Sequence, residues 1–166
     1  MFVFTFLQQW DSTSRVQRGL LFAFIIITAG CSKGPLPLDP FSPPSGVAIV
    51  ETARTQIGTP YRWGGASPET GFDCSGLIQW VYAQHGYGLP RMTEEQIREG
   101  RAANALRAGD LVFFRIGWKS LHTGLSTGRG TFIHSPAGGG SVREDSLDRR
   151  YWQERFLKAR RILDGR

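Results

Sequence analysis

The spacing of hydrophobic residues changes once along this chain, and that change limits the folds open to it. Up to about residue 86, apolar residues recur three or four positions apart, which is typical of helices that bury one face. From residue 110 onward, the short apolar segments 110–114, 121–125, 131–134 and 156–159 are separated by glycine-containing turns and are typical of strands. Helices followed by strands predict an α+β fold in which N-terminal helices pack on an antiparallel sheet.

Glycines and a capping pattern mark the ends of three predicted helices. The first ends at Gly58, and the second begins near Ser75 and ends at Gly86. Thr93 and Gln96 stand three positions apart, as in a capping box, and predict the start of a third, short helix. All three helices therefore precede the four strands in the sequence.

The composition excludes several classes of protein. With 40% hydrophobic and 20% charged residues, this 166-residue chain is neither fibrous nor wholly disordered, and its length allows one domain and a tail. Two cysteines exclude a disulfide scaffold and a four-cysteine metal site. The net charge of +6 favours anionic surroundings without selecting among them. No phosphate-binding sequence follows the glycine clusters, and we predict neither a cofactor nor a nucleic-acid partner.

A short apolar run near the N-terminus is typical of a secretory signal. Residues 20–29 carry no charge and follow Arg15 and Arg18, but they are too few to span a membrane as a helix. Small residues and then Cys31 come directly after the run. This order resembles a bacterial lipobox, in which the cysteine is lipidated, although Thr28 stands where leucine is usual.

The chain is therefore expected to divide into three parts. We predict a lipoprotein signal peptide at 1–30, a lipidated cysteine with a proline-rich tether at 31–46, and a domain at 47–166. Ser32, rather than aspartate, follows the cysteine, which points to the outer membrane facing the periplasm. The alternative is an apolar segment that a cysteine follows by chance, with a disordered leader that has no role.

Cys74 is the candidate nucleophile of the chain. It stands between a loop rich in glycine and small polar residues and the start of the second predicted helix. The positive end of the helix dipole favours the thiolate, and the unpaired N–H groups there can bind an oxyanion. The alternative is a buried, inert cysteine.

Three histidines are candidates for the base that such a nucleophile needs. His85 lies about 15 Å along the same helix from Cys74, which is too far. A three-residue turn at 128–130 would pair its flanking strands so that His122 and His134 share a face and can hydrogen-bond. One of them would then act as the base and the other would orient it.

That arrangement depends on a register in which Thr127 lies opposite Thr131. A two-residue turn would instead place the two histidines on opposite faces of the sheet. Two further alternatives are ordinary strand histidines and a zinc site that includes the cysteine. The sequence shows no close-spaced ligand pair and no fourth ligand, so we predict no metal.

Six segments occur in an order that points to one family: 58–65 (Gly-Thr-Pro-Tyr-Arg-Trp-Gly-Gly), 71–77 (Gly-Phe-Asp-Cys-Ser-Gly-Leu), 89–91 (Leu-Pro-Arg), 108–114 (Ala-Gly-Asp-Leu-Val-Phe-Phe), 122–125 (His-Thr-Gly-Leu) and 132–136 (Phe-Ile-His-Ser-Pro). Together they closely resemble the NlpC family of papain-like cysteine peptidases, which act on bacterial cell walls. The resemblance covers about residues 48–163. It implies a papain-like α+β fold and a peptidoglycan endopeptidase that hydrolyses stem peptides.

The resemblance also implies the catalytic residues and the bond. Cys74 would be the nucleophile, His122 the base, and His134 the residue that orients the base. The bond would join D-γ-glutamyl to the diamino acid. The segment 122–125 reads His-Thr-Gly-Leu where His-Val-Gly-Ile is commoner, and neither change removes a catalytic atom.

Three further residues acquire expected roles from the same resemblance. Tyr61 would assist oxyanion binding, and Asp73 and Ser75 would hold the free amino end of the stem peptide. The expected partners are peptidoglycan stem peptides and, through the lipid anchor, a membrane; the sequence identifies no protein regulator. Two other functions stay open at this point, a non-catalytic wall-binding lipoprotein and a transferase that uses the same acyl-enzyme.

Overall fold

A six-stranded antiparallel sheet is the centre of the fold in a computed structural model that describes residues 45–163. The expected signal peptide at 1–30, Cys31 and nearly all of the expected tether lie outside the described residues.

The elements are, in chain order, α1 (Gly46–Arg54), β1 (Ala66–Ser67), β2 (Gly71–Phe72), α2 (Cys74–Ala83), α3 (Thr93–Gln96), β3 (Arg101–Ala102), β4 (Ala108–Arg115), β5 (Leu121–Thr127), β6 (Thr131–His134), β7 (Arg143–Ser146), α4 (Arg150–Gln153) and β8 (Phe156–Arg161). The large sheet has the strand order β3-β8-β4-β5-β6-β7, and β1 and β2 form a separate antiparallel pair. The α+β prediction, with N-terminal helices on an antiparallel sheet, is confirmed.

Helices α1 and α2 cover one face of the sheet. In α1, Ile49, Val50 and Ala53 are buried against the core, whereas Val47 is 60% exposed. Ser45 caps this helix by accepting a hydrogen bond from the backbone N–H of Ala48 at 3.2 Å. The cap determines the residue at which α1 begins, and the apolar residues of the helix then face the sheet.

Strand β4 has buried side chains on both faces. Leu111 and Phe113 belong to the core under the helices, and Val112 and Phe114 belong to a second cluster on the opposite face. Trp152 of α4 packs into that second cluster. Burial on both faces explains why this strand is continuously apolar in the sequence.

The register of the β5–β6 hairpin agrees with the sequence-based prediction. Leu125 pairs with Ile133, and the side-chain hydroxyls of Thr127 and Thr131 lie 2.6 Å apart. The turn 128–130 therefore has three residues, with Gly128 and Gly130 at positive φ. This turn decides which face of β5 and β6 carries the two histidines.

The predicted capping box is wrong. Met92 is the N-cap of α3, and Thr93 is already its first helical residue. Gln96 instead donates to the carbonyl oxygens of Ser75 and Pro90, at 3.0 and 2.8 Å. The side chains of Thr93 and Gln96 are buried, so they form hydrogen bonds with buried groups of the loop and of α2 and do not cap α3.

Strand β7 and helix α4 were not predicted from the sequence. The segment Arg143–Ser146 is polar and lies at the edge of the sheet, so it lacks the apolar alternation that marks the inner strands. Within residues 45–163, no helix has the length and apolar character needed to cross a bilayer.

Candidate active site

Asp73 caps helix α2 and fixes the position of Cys74 in its first turn. Its Oδ1 accepts a hydrogen bond from the backbone N–H of Gly76 at 2.7 Å, and its Oδ2 accepts one from Gly64 at 3.0 Å. Cys74 is the first residue of the helix and is partly buried. The thiol therefore lies where the backbone N–H groups of the first turn are still available to a ligand.

Two glycines allow the loop before the helix to lie directly against α2. A Cβ on Gly76 would stand 2.1 Å from the carbonyl oxygen of Gly65, and that same carbonyl accepts the N–H of Asp73 at 3.0 Å. Only a residue without a side chain fits there. This contact explains the glycine of the Asp-Cys-Ser-Gly segment and brings Tyr61 and its loop next to the thiol.

Three neighbouring strands place two histidines and an aspartate in a line. The Nε2 of His122 on β5 lies 2.8 Å from the Nδ1 of His134 on β6. The Nε2 of His134 lies 3.0 Å from Oδ2 of Asp145 on β7. All three side chains are buried. The predicted pairing of the two histidines is therefore observed, and Asp145 extends it.

The hydrogen bonds fix the tautomer of each ring. An ionised carboxylate only accepts hydrogen bonds, so Nε2 of His134 carries a proton that it donates to Asp145. The Nδ1 of the neutral His134 ring must then accept, so Nε2 of His122 is its donor. The proton of His122 is thus on Nε2, and its Nδ1 keeps a lone pair. That Nδ1 is buried and has no hydrogen-bond partner.

Burial keeps both rings neutral. It lowers the pKa of His122 to about 3, with smaller contributions from the charges of His134 and Arg143. Burial likewise lowers the pKa of His134 to about 4, although the hydrogen bond to Asp145 opposes the shift. Burial would raise the pKa of Asp145, but the hydrogen bond from His134 and the charge of Arg143 outweigh it and lower that pKa. Asp145 is therefore the ionised member of the line.

Burial also raises the pKa of the Cys74 thiol. The backbone of Thr123 and the hydroxyl of Thr93, 3.7 Å from the sulfur, lower the pKa by hydrogen bonding but do not compensate. Burial therefore outweighs the stabilisation of the thiolate that we expected from the helix N-terminus. The pair at rest is a neutral thiol and a neutral imidazole, because desolvation penalises both charged forms.

Aromatic rings hold the two imidazoles in place. Trp152 stacks on His122 with ring centroids 5.6 Å apart, and Phe132 stacks on His134 at 4.6 Å. A Cβ on Gly124 would lie 2.5 Å from the ring of Phe132. Gly124, in the His-Thr-Gly-Leu segment, therefore leaves the space that the stacked phenylalanine occupies.

One cavity of about 560 Å³ brings most of the expected site residues together. Its walls include Tyr61, Asp73, Cys74, Ser75 and His122. Burial raises the pKa of the Tyr61 phenol, and the negative charges of an ionised Cys74 and of Asp73 act in the same direction. His134 does not line the cavity; it lies behind His122, as its expected orienting role requires.

Arg91, from the segment 89–91, is also part of this site. Its Nη1 and Nη2 donate to Oδ1 and Oδ2 of Asp73 at 2.9 and 2.6 Å, and Nη1 also donates to the hydroxyl of Ser75 at 2.9 Å. This two-point pairing holds the Asp73 carboxylate rigid beside the thiol.

The sequence analysis missed Asp145, Thr93 and Trp152. Asp145 follows no recognisable strand pattern, and the other two residues reach the site from α3 and α4. Asp145 could have been sought because the second of two hydrogen-bonded histidines needs a carboxylate to accept its remaining N–H. Within residues 45–163, no group of three or more histidine, cysteine, aspartate and glutamate side chains is placed to hold a metal ion.

The buried neutral histidines predict that the fold loses stability in acid. As the pH is lowered from 6.5 to 4, the unfolded chain takes up a proton on His122 that the folded chain does not. The free energy of unfolding therefore decreases as the solution becomes more acidic. His122 alone contributes roughly 3 kcal/mol to this loss. Urea unfolding across that range measures it. A His122→Gln variant should show a shallower dependence on pH, and an unchanged slope would contradict the buried neutral ring.

Comparison with known proteins agrees with this geometry. Residues 58–161 match the model of the NlpC/P60 family. The chain is 44% identical over 115 residues to the murein DD-endopeptidase MepH of Escherichia coli K12, covering 65% of this chain and 42% of that protein. It is 38% identical over 123 residues to the bifunctional muramidase/DL-endopeptidase CwlT of Bacillus subtilis 168, covering 69% and 36%. The chain thus spans less than half the length of both relatives.

A solved structure shows the same fold. The crystal structure of an NlpC/P60 family protein from Bacillus cereus ATCC 10987 superposes with a TM-score of 0.68 at 35% identity, covering 74% of this chain and 41% of that one. This agreement confirms the papain-like α+β fold expected from the sequence. The matched segment, 58–161, includes Cys74, both histidines and Asp145. The chain belongs to the NlpC/P60 family.

Proposed function

We propose that this protein is a peptidoglycan endopeptidase that hydrolyses stem peptides with Cys74 as its nucleophile. The observation that carries the proposal is the Nδ1 lone pair of His122, which is buried, has no partner, and belongs to a ring in the same cavity as the thiol. A buried polar atom without a hydrogen-bond partner destabilises the fold, so an unpaired ring nitrogen at this position indicates a role in catalysis. The family and the peptidoglycan endopeptidases named among the relatives agree with this reading.

The reaction starts from the neutral pair. As the sulfur of Cys74 attacks the carbonyl carbon, Nδ1 of His122 takes the thiol proton, so the thiolate forms only in the transition state. The resulting imidazolium donates through Nε2 to His134, whose own donation to Asp145 stabilises the charge. Backbone N–H groups at the start of α2, together with the hydroxyl of Tyr61, donate to the oxyanion.

Breakdown of the tetrahedral intermediate uses the same proton. His122 gives it to the nitrogen of the scissile bond, the C–N bond breaks, and a free amine leaves. A water molecule, deprotonated by His122, then attacks the acyl-enzyme, and the thiol returns with the peptide carboxylate as product.

The cleaved bond is proposed to join D-γ-glutamyl to the diamino acid. Asp73 and Ser75 lie in the cavity beside Cys74, and their side-chain oxygens, held by Arg91, are proposed to accept hydrogen bonds from the free amino end of the stem peptide. An amine site so close to the nucleophile favours a bond near the start of the stem peptide. Of the relatives, MepH is named a DD-endopeptidase and CwlT a DL-endopeptidase, so the two names differ in the bond.

Mass spectrometry of stem peptides from purified sacculi tests the function, after an amidase has released the peptides so that their amino ends are free. We expect shortened stem peptides with a new amino end on the diamino acid. Unchanged muropeptides would favour a non-catalytic wall-binding protein, and new cross-linked products would favour a transferase; either result would contradict the proposal.

We further propose that lipid on Cys31 anchors the enzyme to the outer membrane facing the periplasm. The apolar run and the cysteine after it support this, and an extended segment at 35–44 would span roughly 30 Å toward the wall. A Cys31→Ser variant is expected to leave the processed membrane fraction. Normal processing and anchoring of the variant would contradict the lipid anchor without affecting the chemistry of Cys74.

A further inference from the structure

A second cavity, of about 410 Å³, continues from the first on the far side of His122. The two cavities share Ile116, His122 and Ala137, but Cys74 lines only the first one. We call the second cavity the arginine cavity, because Arg143 and Arg149 line it. Nothing in the proposed function so far uses it.

The position of the arginine cavity identifies which half of a substrate it would hold. The acyl half of the substrate must contact Cys74, with which it forms the thioester. The amine half must contact His122, because this residue protonates the leaving nitrogen. A cavity that includes His122 but not Cys74 therefore lies on the side of the departing amine.

The charges around the cavity favour an anion. Arg143 and Arg149 bring two positive charges, and the one anionic group placed between them is the Asp145 carboxylate. His134 and His122 are neutral because of their burial. The net charge of these groups is therefore one positive charge. The arginines are accessible to a ligand from solvent, because the side chains of Arg143 and Arg149 are 46% and 65% exposed.

The contacts with Asp145 leave both guanidinium groups with further donors. Arg143 uses Nε at 3.3 Å and Arg149 uses Nη1 at 3.4 Å. A guanidinium carries five N–H donors, and charge-assisted hydrogen bonds of full strength are about 2.7–2.9 Å long. The two arginines are therefore held near Asp145 without being saturated by it.

We propose that the arginine cavity is a subsite for a carboxylate on the fragment that carries the leaving amine. Arg149, the more exposed of the two, makes the principal contact, and Arg143 contributes charge. The inference rests on the proposed function and extends it, because a diamino acid with two carboxyl groups, such as diaminopimelate, brings at least one free carboxylate with the released amine. A substrate whose carboxylates are amidated would lose this contact.

Two peptides that differ only on the leaving side test the subsite. One is L-Ala–γ-D-Glu–diaminopimelate with free carboxylates, and the other has both diaminopimelate carboxylates amidated. The wild type is expected to show a kcat/KM about tenfold higher for the free acid, the effect of one charge-assisted hydrogen bond. Arg149→Gln should lose that preference by lowering kcat/KM for the free acid alone.

Arg150→Gln is the matched control. Arg150 is adjacent in sequence, its side chain is 90% exposed, it pairs with Glu154 at 2.6 Å, and it does not line the cavity. The control should keep the wild-type preference. An equal loss for both peptides in Arg149→Gln would overturn the subsite and assign Arg149 only to positioning Asp145. An unchanged preference would also overturn it.

Binding of the released fragment separates the subsite from the proposed function. Diaminopimelyl-D-alanine, titrated by NMR, should bind the wild type at least fivefold more tightly than Arg149→Gln. If neither peptide is cleaved but this difference is found, the proposed function fails and the subsite stands. If no peptide is cleaved and the fragment does not bind, or binds both proteins equally, the subsite is overturned as well.

Discussion

Replacing Cys74 with alanine is expected to lower the rate of stem-peptide cleavage by on the order of 10³-fold or more. The sulfur forms the covalent intermediate, and the neighbouring hydroxyl at the start of α2, that of Ser75, is hydrogen-bonded to Arg91 and Asp73 rather than to a base. The measurement is formation of shortened stem peptides from amidase-treated sacculi, compared at equal protein concentration.

The fold should survive this change, which makes the loss interpretable. Cys74 is a small, partly buried residue outside the two apolar clusters, and its sulfur makes only weak contacts, with the backbone of Thr123 and with the Thr93 hydroxyl at 3.7 Å. We expect the thermal unfolding midpoint of Cys74→Ala to stay within a few degrees of the wild type. Undiminished cleavage by a folded Cys74→Ala protein would exclude the mechanism.

Replacing Asp145 with asparagine is expected to lower kcat by about 10²- to 10⁴-fold. The amide can present an N–H to His134 and reverse every hydrogen bond of the line. Nε2 of His134 would then accept, its Nδ1 would donate to His122, and the proton of His122 would move to Nδ1. The base would lose the lone pair that receives the thiol proton. KM should change less than kcat, because Asp145 is absent from the walls of the cavity that contains Cys74 and reaches the substrate only through the arginine cavity.

Asp148→Asn is the control for this prediction. It makes the same chemical change three residues away, on an exposed side chain outside the histidine line. Its kcat should match the wild type. The pH dependence adds a second readout: Asp145→Asn should change the acidic limb of the kcat profile, since the imidazolium loses its counter-charge. A loss confined to stability, with kcat per folded molecule unchanged, would show that Asp145 has only a structural role.

Local patterns in the sequence determined the order of the elements and the pairing of the histidines. The change from apolar residues at helical spacing to short apolar segments is set by which residues must be buried, so helices α1 and α2 and strands β4, β5, β6 and β8 could be predicted. The turn at 128–130 set the register because positive φ at glycine fixes the geometry of a three-residue hairpin. That register placed His134 beside His122, and the Asp-Cys-Ser-Gly segment placed Cys74 at a helix start.

Only the tertiary structure decided the protonation states and the partners that arrive from distant segments. The thiol of Cys74 is neutral at rest because burial outweighs its hydrogen bonds, and burial depends on every element packed around it. Asp145 completes the histidine line from an edge strand without an apolar signature, and Arg91 pairs with Asp73 from a loop 18 residues away. Desolvation and long-range pairing depend on all the residues that the fold brings around a group, so neither can be predicted from a local stretch of sequence.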